Sequence, residues 1–474
     1  MKHIIQFAAL ALLAGCAAVP RDAGFAEVQA ALAQRVEQSV MWWRDTAEDA
    51  EAEARIRGLL AQPLTADAAV QVALLNNRGL QAEYEELGVA QADVVQAGLF
   101  RNPVLGWMRQ EGGDLTRTTW GFELDFLGLL LVRPRQRIED IRFAHVKLRV
   151  TQAVLRHAAE TRKAWYEVMA AEQSARFLQQ AGELADAEAM LGERQRTAGT
   201  LALRDALRQQ VFAAEVEVDL AHARQTAFAA RERLNRLMGT GDEQVAWQLP
   251  SRLPLPPAEI PPYASLEADG VARRLDVQLA QKEAEAFASA LGLTRNMRFI
   301  NVFDLGVETE HGSGERRITG PVLRIELPVF DQGQARLSRQ ESLYRQSEMR
   351  LYQSAVNARS EIREAWQRLQ AAHAAVRHAR ETLVPLRRRI VEQSALHYNG
   401  MLIGVYELLA DARAQMAAVQ QGIFATREYW TALADLQMAV GGRLPQPSTA
   451  GGEPAGGGER MREQRSAQHE EHAK

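Results

Sequence analysis

The chain has 474 residues, with a formal net charge of −4, 24% charged residues, 6% aromatics and a single cysteine. That balance excludes a generic polyanion-binding surface, so no nucleic-acid partner is expected, and one cysteine excludes an intramolecular disulfide or thiolate metal cluster. So few aromatics suit closely packed Ala-rich helices better than one thick core.

At the start, Met1-Lys2-His3 is basic, Ile4 to Leu13 is apolar but too short to span a bilayer, and Ala14-Gly15 is small. Together they read as a signal peptide. Leu13-Ala14-Gly15-Cys16 resembles the bacterial lipoprotein box, so residues 1–15 would be removed and Cys16 would carry covalent lipid. Ala17, rather than Asp, resembles the signal for onward sorting to the outer membrane. Residues 16–63 read as an N-terminal periplasmic segment of broken helix, anchored by Trp42-Trp43. Thr65-Ala66-Asp67 then caps a helix running to about Ala97.

The period changes next. Trp120, Phe122, Leu124 and Phe126 alternate with Thr119, Gly121, Glu123 and Asp125, a two-residue period with one apolar face. Val104 to Gln110 would pair with it across the polar loop Glu111 to Arg117. In the second half Phe303, Leu305 and Val307 alternate with polar residues, and Leu323, Ile325, Leu327 and Val329 do so beyond His311–Glu315. Each half thus holds one β-hairpin of membrane-strand length, about 104–127 and 299–329. Trp120, Phe122, Leu124, Phe126, Leu323, Ile325 and Leu327 are expected to face lipid. The competing reading is a small soluble sheet packed on the helices. Four strands cannot close a barrel, eight are filled by side chains, and twelve leave a lumen, so a duct needs three copies.

After each hairpin a long helix is expected, from about Pro134 and from Gly333. Ile141, Leu148, Leu155 and Met169 lie on one seven-residue grid, with Arg162 as its misfit, and Ala358, Ala365, Ala372 and Ala379 lie on another. Such spacing argues coiled-coil packing. Thr197-Ala198-Gly199-Thr200 and Tyr398-Asn399-Gly400-Met401 are helical corners, with Gly199 and Gly400 expected in the left-handed conformation. The segments are related: Glu160-Thr161-Arg162-Lys163-Ala164-Trp165 returns as Glu361-Ile362-Arg363-Glu364-Ala365-Trp366, the corners keep that offset of 201, and the helix stops at Gly239 and Gly441 differ by 202. This is a tandem duplication. The repeats read as 64–239 and 264–442, joined by the Pro-rich linker 240–263, with a disordered tail at 443–474.

The lipobox, the duplicated helix–hairpin–helix–corner–helix halves, Leu99-Phe100-Arg101-Asn102-Pro103, and Tyr398-Asn399-Gly400 followed by Leu408-Leu409-Ala410-Asp411-Ala412-Arg413 resemble the TolC-type outer membrane factors, in their lipidated OprM/CzcC-like branch. The resemblance covers about residues 60–442. It implies a mainly α fold with a small membrane β part: a homotrimer whose helical hairpins form a periplasmic α-barrel and whose four strands per chain form a twelve-stranded barrel. It further implies a Gram-negative outer-membrane duct of a tripartite pump, working with a periplasmic adaptor that docks at the corners and with an inner-membrane pump. The run Phe126–Val132 is more apolar than the usual crossover in that family. A reading of another class is a lipid-anchored periplasmic coiled-coil adaptor without a barrel; that expects one helical hairpin, and here there are two.

No enzyme signature is present: no phosphate loop, dinucleotide fingerprint or nucleophile elbow occurs. His469 and His472 lie in the tail and His373 and His378 are five apart, so no metal site is expected and the only attached group is the lipid on Cys16. Glu407 and Asp411 share a helix face one turn apart. An ordinary solvated face explains them, and resemblance to acidic constrictions near the tip makes them candidate gate residues. The cargo, whether metal ion, drug or other small molecule, is not legible.

Overall fold

A computed structural model describes residues 18–444 except 45, 114, 261, 264, 265, 314 and 315. Cys16 and the tail histidines lie outside the described residues. The N-terminal segment forms α1 (Phe25–Ala33) and α2 (Ala47–Leu60). Between them Trp42 Nε1 donates to Glu85 at 2.9 Å and Trp43 Nε1 to the Leu75 carbonyl at 2.7 Å, fastening the segment to the helices beneath it. The helix expected from Thr65 to Ala97 is two: α3 (Ala66–Asn76) and α4 (Arg78–Gly98). Asn77 sits between them with extended backbone, and its side chain accepts from Leu80 N, the ordinary geometry of a helix start.

The strands β1 (Val104–Gly112), β2 (Leu115–Asp125), β3 (Phe303–Gly312) and β4 (Ile318–Ile325) form one antiparallel sheet in chain order. The two hairpins are therefore joined through β2 and β3, with Phe122 opposite Val307 and Leu124 opposite Leu305. Pairing in the first hairpin reaches Gly112 and Leu115, so the polar loop expected over 111–117 is mostly strand. The second hairpin stops earlier than expected. After Ile325, Val329 N donates to the Leu327 carbonyl at 2.8 Å in a tight turn centred on Pro328, whose ring favours that φ. Leu327 is consequently beyond the strand, and exposed.

The long helix α5 (Phe126–Thr197, 72 residues) starts eight residues before Pro134. Asp125 caps it, accepting from Gly128 N at 2.6 Å, so Phe126–Val132 is helical and Phe126 is its first residue rather than a strand residue. At 1.5 Å per residue α5 extends about 108 Å. It turns into α6 (Leu203–Met238). The second repeat follows the same course: α7 (Leu266–Arg273), α8 (Leu275–Met297), the strands, α9 (Gln334–His378), a π-helical segment (Ala379–Leu383), α10 (Val384–Asn399) and α11 (Val405–Ala439). No described helix is long and apolar enough to cross a membrane.

Three of four apolar clusters lie along the helices. One centres on Trp165, Met169, Leu234 and Met238, a second on Tyr84, Val150, Val154 and Leu155, and a third on Ile362, Leu369, Tyr429 and Leu436. Ile141, Leu155 and Met169 of the first grid are buried, and Arg162 instead pairs with Asp67 at 2.6 Å. The Pro-rich linker lies across the helices. Trp247 is buried and donates to Asn235, Leu64 N reaches the Gln248 carbonyl, and Trp430 Nε1 reaches Pro254 O.

The repeats differ by one residue, and the fold shows where. From the offset of 201 at Trp165 and Trp366, the counterparts Ala202 and Gly404, which precede α6 and α11, have moved to 202. The extra residue therefore lies between Trp366 and the corner. The π segment is the place: Val384 N donates to the Ala379 carbonyl, five residues back, which adds one residue to a turn. Pro385 follows at once and cannot donate to the Glu381 carbonyl. Removing Glu381 together with Pro385→Ala should restore a plain α-helix with both flanking faces in register, so the protein should retain its melting temperature within a few degrees. Removing Gln180, at the matching place in α5, rotates every later side chain by about 100° and should abolish recovery of folded protein; circular dichroism melts compare the two.

Candidate functional site

Two places carry the features that sequence reading singled out: the sheet and the helical tips. On the sheet, register fixes the faces. Leu105 and Trp107 on β1, Trp120, Phe122 and Leu124 on β2, Leu305 and Val307 on β3, and Leu323 and Ile325 on β4 fall on one face, because directly paired residues share a side. Trp107 and Trp120 are opposite one another with ring centroids 6.3 Å apart. The other face carries Glu123, Asp125, Asp304, Glu308 and Glu310, with Arg324 Nη1 2.8 Å from Glu123 and Arg117 paired to Glu310. Asp125 has two structural tasks, capping α5 and facing Arg101 at 3.4 Å. It is therefore not a neutral site for substitution. In the single chain β1 and β4 each leave one edge unpaired.

At the tips, corner one closes as expected. Gly199 has φ +75°, and Thr200 N reaches back to the Gln195 carbonyl at 2.9 Å, the bond that satisfies a helix's last carbonyls. At corner two the left-handed residue is Met401 (φ +58°), and Leu402 N bonds the His397 carbonyl at 2.8 Å. Gly400 has φ −80° and merely ends α10, after Tyr398 and Asn399. The one-residue shift absorbed upstream places Met401, not Gly400, opposite Gly199. Met401 and Leu402 are both exposed.

Glu407 and Asp411 lie one turn apart on α11 but in different settings. Glu407 is exposed in the first helical turn, where the helix dipole favours a carboxylate. Asp411 is half-buried and accepts from Ser394 Oγ of α10 at 2.5 Å, tying the two arms of the hairpin together. A fourth cluster joins the two hairpins nearby: Val405 and Leu409 pack on Ala185, Phe212 and Val216. Arg413 pairs with Glu215 and lies over the Phe212 ring, and Arg208 lies over Tyr406. These contacts were not singled out from sequence, because they link positions near 210 and 410 with no shared motif. At the end of α5, hydrogen bonding from Arg196 holds the Glu193 carboxyl below its ordinary pKa. His373 contacts the Pro257 carbonyl at 3.0 Å, and no cluster of three or more metal-ligating side chains occurs among the described residues.

The corners yield a direct stability test. A Cβ at Gly400 meets nothing closer than 3.5 Å, so Gly400→Ala should be nearly neutral. Gly199→Val should cost at least about 1–2 kcal/mol through its left-handed backbone, while Met401→Gly should add about 1 kcal/mol. Denaturant melts of the purified protein in detergent rank the three.

No protein-family model matches the chain. It is 23% identical over 283 residues to the cobalt-zinc-cadmium resistance protein CzcC of Cupriavidus metallidurans, a match spanning 58% of this chain and 66% of that protein, just under two thirds of its length. Among solved structures, it superposes on the outer membrane protein VceC of Vibrio cholerae with a TM-score of 0.67 at 18% identity, covering 80% of this chain and 96% of that one. It also superposes on the CmeC outer membrane channel of Campylobacter jejuni, with a TM-score of 0.69 at 14% identity over 86% of this chain and 92% of that one. By fold, the chain belongs with the TolC-type outer membrane channels.

Proposed function

We propose that three copies of this chain form the outer-membrane exit duct of an export assembly, passively carrying small-molecule, drug or metal-ion cargo from a periplasmic adaptor and inner-membrane pump to the exterior. One observation carries this reading: a four-stranded sheet, apolar on one face and acidic on the other, has both edges free and stands on helical hairpins about 100 Å long. Lipid exposure requires those edges to be paired, and the copies can pair them with one another. Three copies supply twelve strands, enough for an aqueous lumen. CzcC carries metal resistance in its name, which keeps metal ions among the proposed cargoes. The reading places the chain in a Gram-negative outer membrane, with Cys16 lipidated and the corners at the periplasmic tip. Its chemistry is conduction, not catalysis. The adaptor alternative has no use for a second hairpin or for a sheet with a continuous apolar face.

Threefold symmetry turns Glu407 into a ring of three carboxylates at the tip. The ring should concentrate cations and oppose anions in a narrow resting mouth that adaptor hairpins open. Asp411 acts differently: its bond to Ser394 holds α10 against α11, and the Arg413–Glu215 pair holds the two hairpins together. In planar bilayers the parent should be cation-selective. Glu407→Gln should weaken cation preference and block by multivalent cations, while Asp411→Asn should chiefly lengthen open times. Unchanged selectivity, block and gating in both variants would contradict the gate and leave the duct standing. A parent that never conducts would contradict the duct.

A further inference from the structure

The apolar face of the sheet is too short for a bilayer. Along β2 it runs from Trp120 to Phe126; farther toward the hairpin turn the same face carries Thr118 and Thr116, flanked by Arg109, Thr309 and Thr319. Six residues at about 3.3 Å, tilted by about 40°, give roughly 15 Å of height against an apolar band of about 25 Å in membrane barrels.

Toward the helices the apolar surface continues. Phe126 meets Phe303 edge-to-face at 5.5 Å, which joins α5 to the sheet face. Leu130, one turn further on, is 60% exposed. The other connections at this end of the sheet bring more: Phe100 after α4, Phe299 and Ile300 after α8, and Phe330 after β4, which is 94% exposed. A turn of helix beyond Phe126 adds about 6 Å and the phenyl groups a few more, which makes up the missing height. Where this surface ends, arginine begins. Arg133 and Arg137 follow Leu130 at spacings of three and seven on α5, and Arg336 and Arg339 occupy the first turns of α9, all four exposed. Of these, Arg336 is partly engaged, with Asn301 at 2.6 Å and Asp331 at 4.0 Å.

Resting on the duct reading, we propose that the strand-to-helix junction, rather than the strands, grips the periplasm-side leaflet. The collar of Phe100, Phe126, Leu130, Phe299 and Phe330 lies among acyl chains, and the arginines stand at the headgroup phosphates. Guanidinium groups suit that position, since they pair with phosphate while their stems lie on apolar surface. Lipid is the occupant because the collar is continuous with the sheet's apolar face, and because its outer limit is a cationic fringe rather than a further apolar surface.

Site-directed nitroxide labelling tests this on the full chain in phospholipid vesicles containing anionic lipid. Leu130→Cys, Phe330→Cys and Arg137→Cys report on the junction, Leu323→Cys on the strand face and Val218→Cys on a helix far from the sheet. Labels at Leu130 and Phe330 should match Leu323 in favouring dissolved oxygen over a water-soluble nickel chelate, by several-fold over Val218, with Arg137 intermediate. If Leu130 and Phe330 follow Val218 while Leu323 stays oxygen-rich, the collar is wrong and the duct stands. Labels immobilised and shielded from both reagents would mean that a second copy covers the collar, which also overturns it. An aqueous Leu323 would overturn the duct and the collar together.

Discussion

The sheet's two unpaired edges are the constraint on which the rest depends. Every backbone N–H and C=O in lipid needs a partner, and β1 and β4 each offer a row of them to nothing within the chain. Only other copies, added edge to edge, can complete the pairing without leaving a new edge. The apolar face, common to all four strands through their register, says which side turns to lipid, and the carboxylates of Glu123, Asp304 and Glu308 say which side turns to water. Helices more than 100 Å long then follow from the same closure: a rod of that length needs neighbours along it, and joined copies supply them.

Duplication makes such a ring out of two unequal halves. Each repeat contributes one hairpin of strands and one of helices, and the second carries one residue more before its corner. The π segment at Ala379–Leu383 takes up that residue within a single turn, so the faces of α9 and α10 stay aligned with their neighbours. At the tip the halves are joined by chemistry that neither has alone: Val405 and Leu409 in the groove beside Phe212, and Arg413 on Glu215. The apolar contact is insensitive to salt while the ion pair is not, so the strength of this joint depends on conditions at the tip.

Much of this was legible in the sequence, because alternation and heptad spacing report directly on which face is buried. Trp120, Phe122, Leu124, Leu323 and Ile325 were all found by period alone. Element ends were less legible. Period does not distinguish the last residue of a strand from the first of a helix, so Phe126 changed element, and Pro328 ended β4 before Leu327. Composition also misplaced corner two: Asn-Gly suggests the left-handed residue, yet register gives that place to Met401. The Ser394–Asp411 bond and the Arg413–Glu215 pair depend on three-dimensional proximity that no local pattern encodes.

Assembly is the most direct test of the account, since every other feature follows from closing the sheet. Native mass spectrometry of the intact, detergent-extracted protein should show three chains in one particle, surviving mild activation. A stable monomer or dimer under the same conditions would leave the edges of β1 and β4 unpaired or the lumen filled, and would contradict the account.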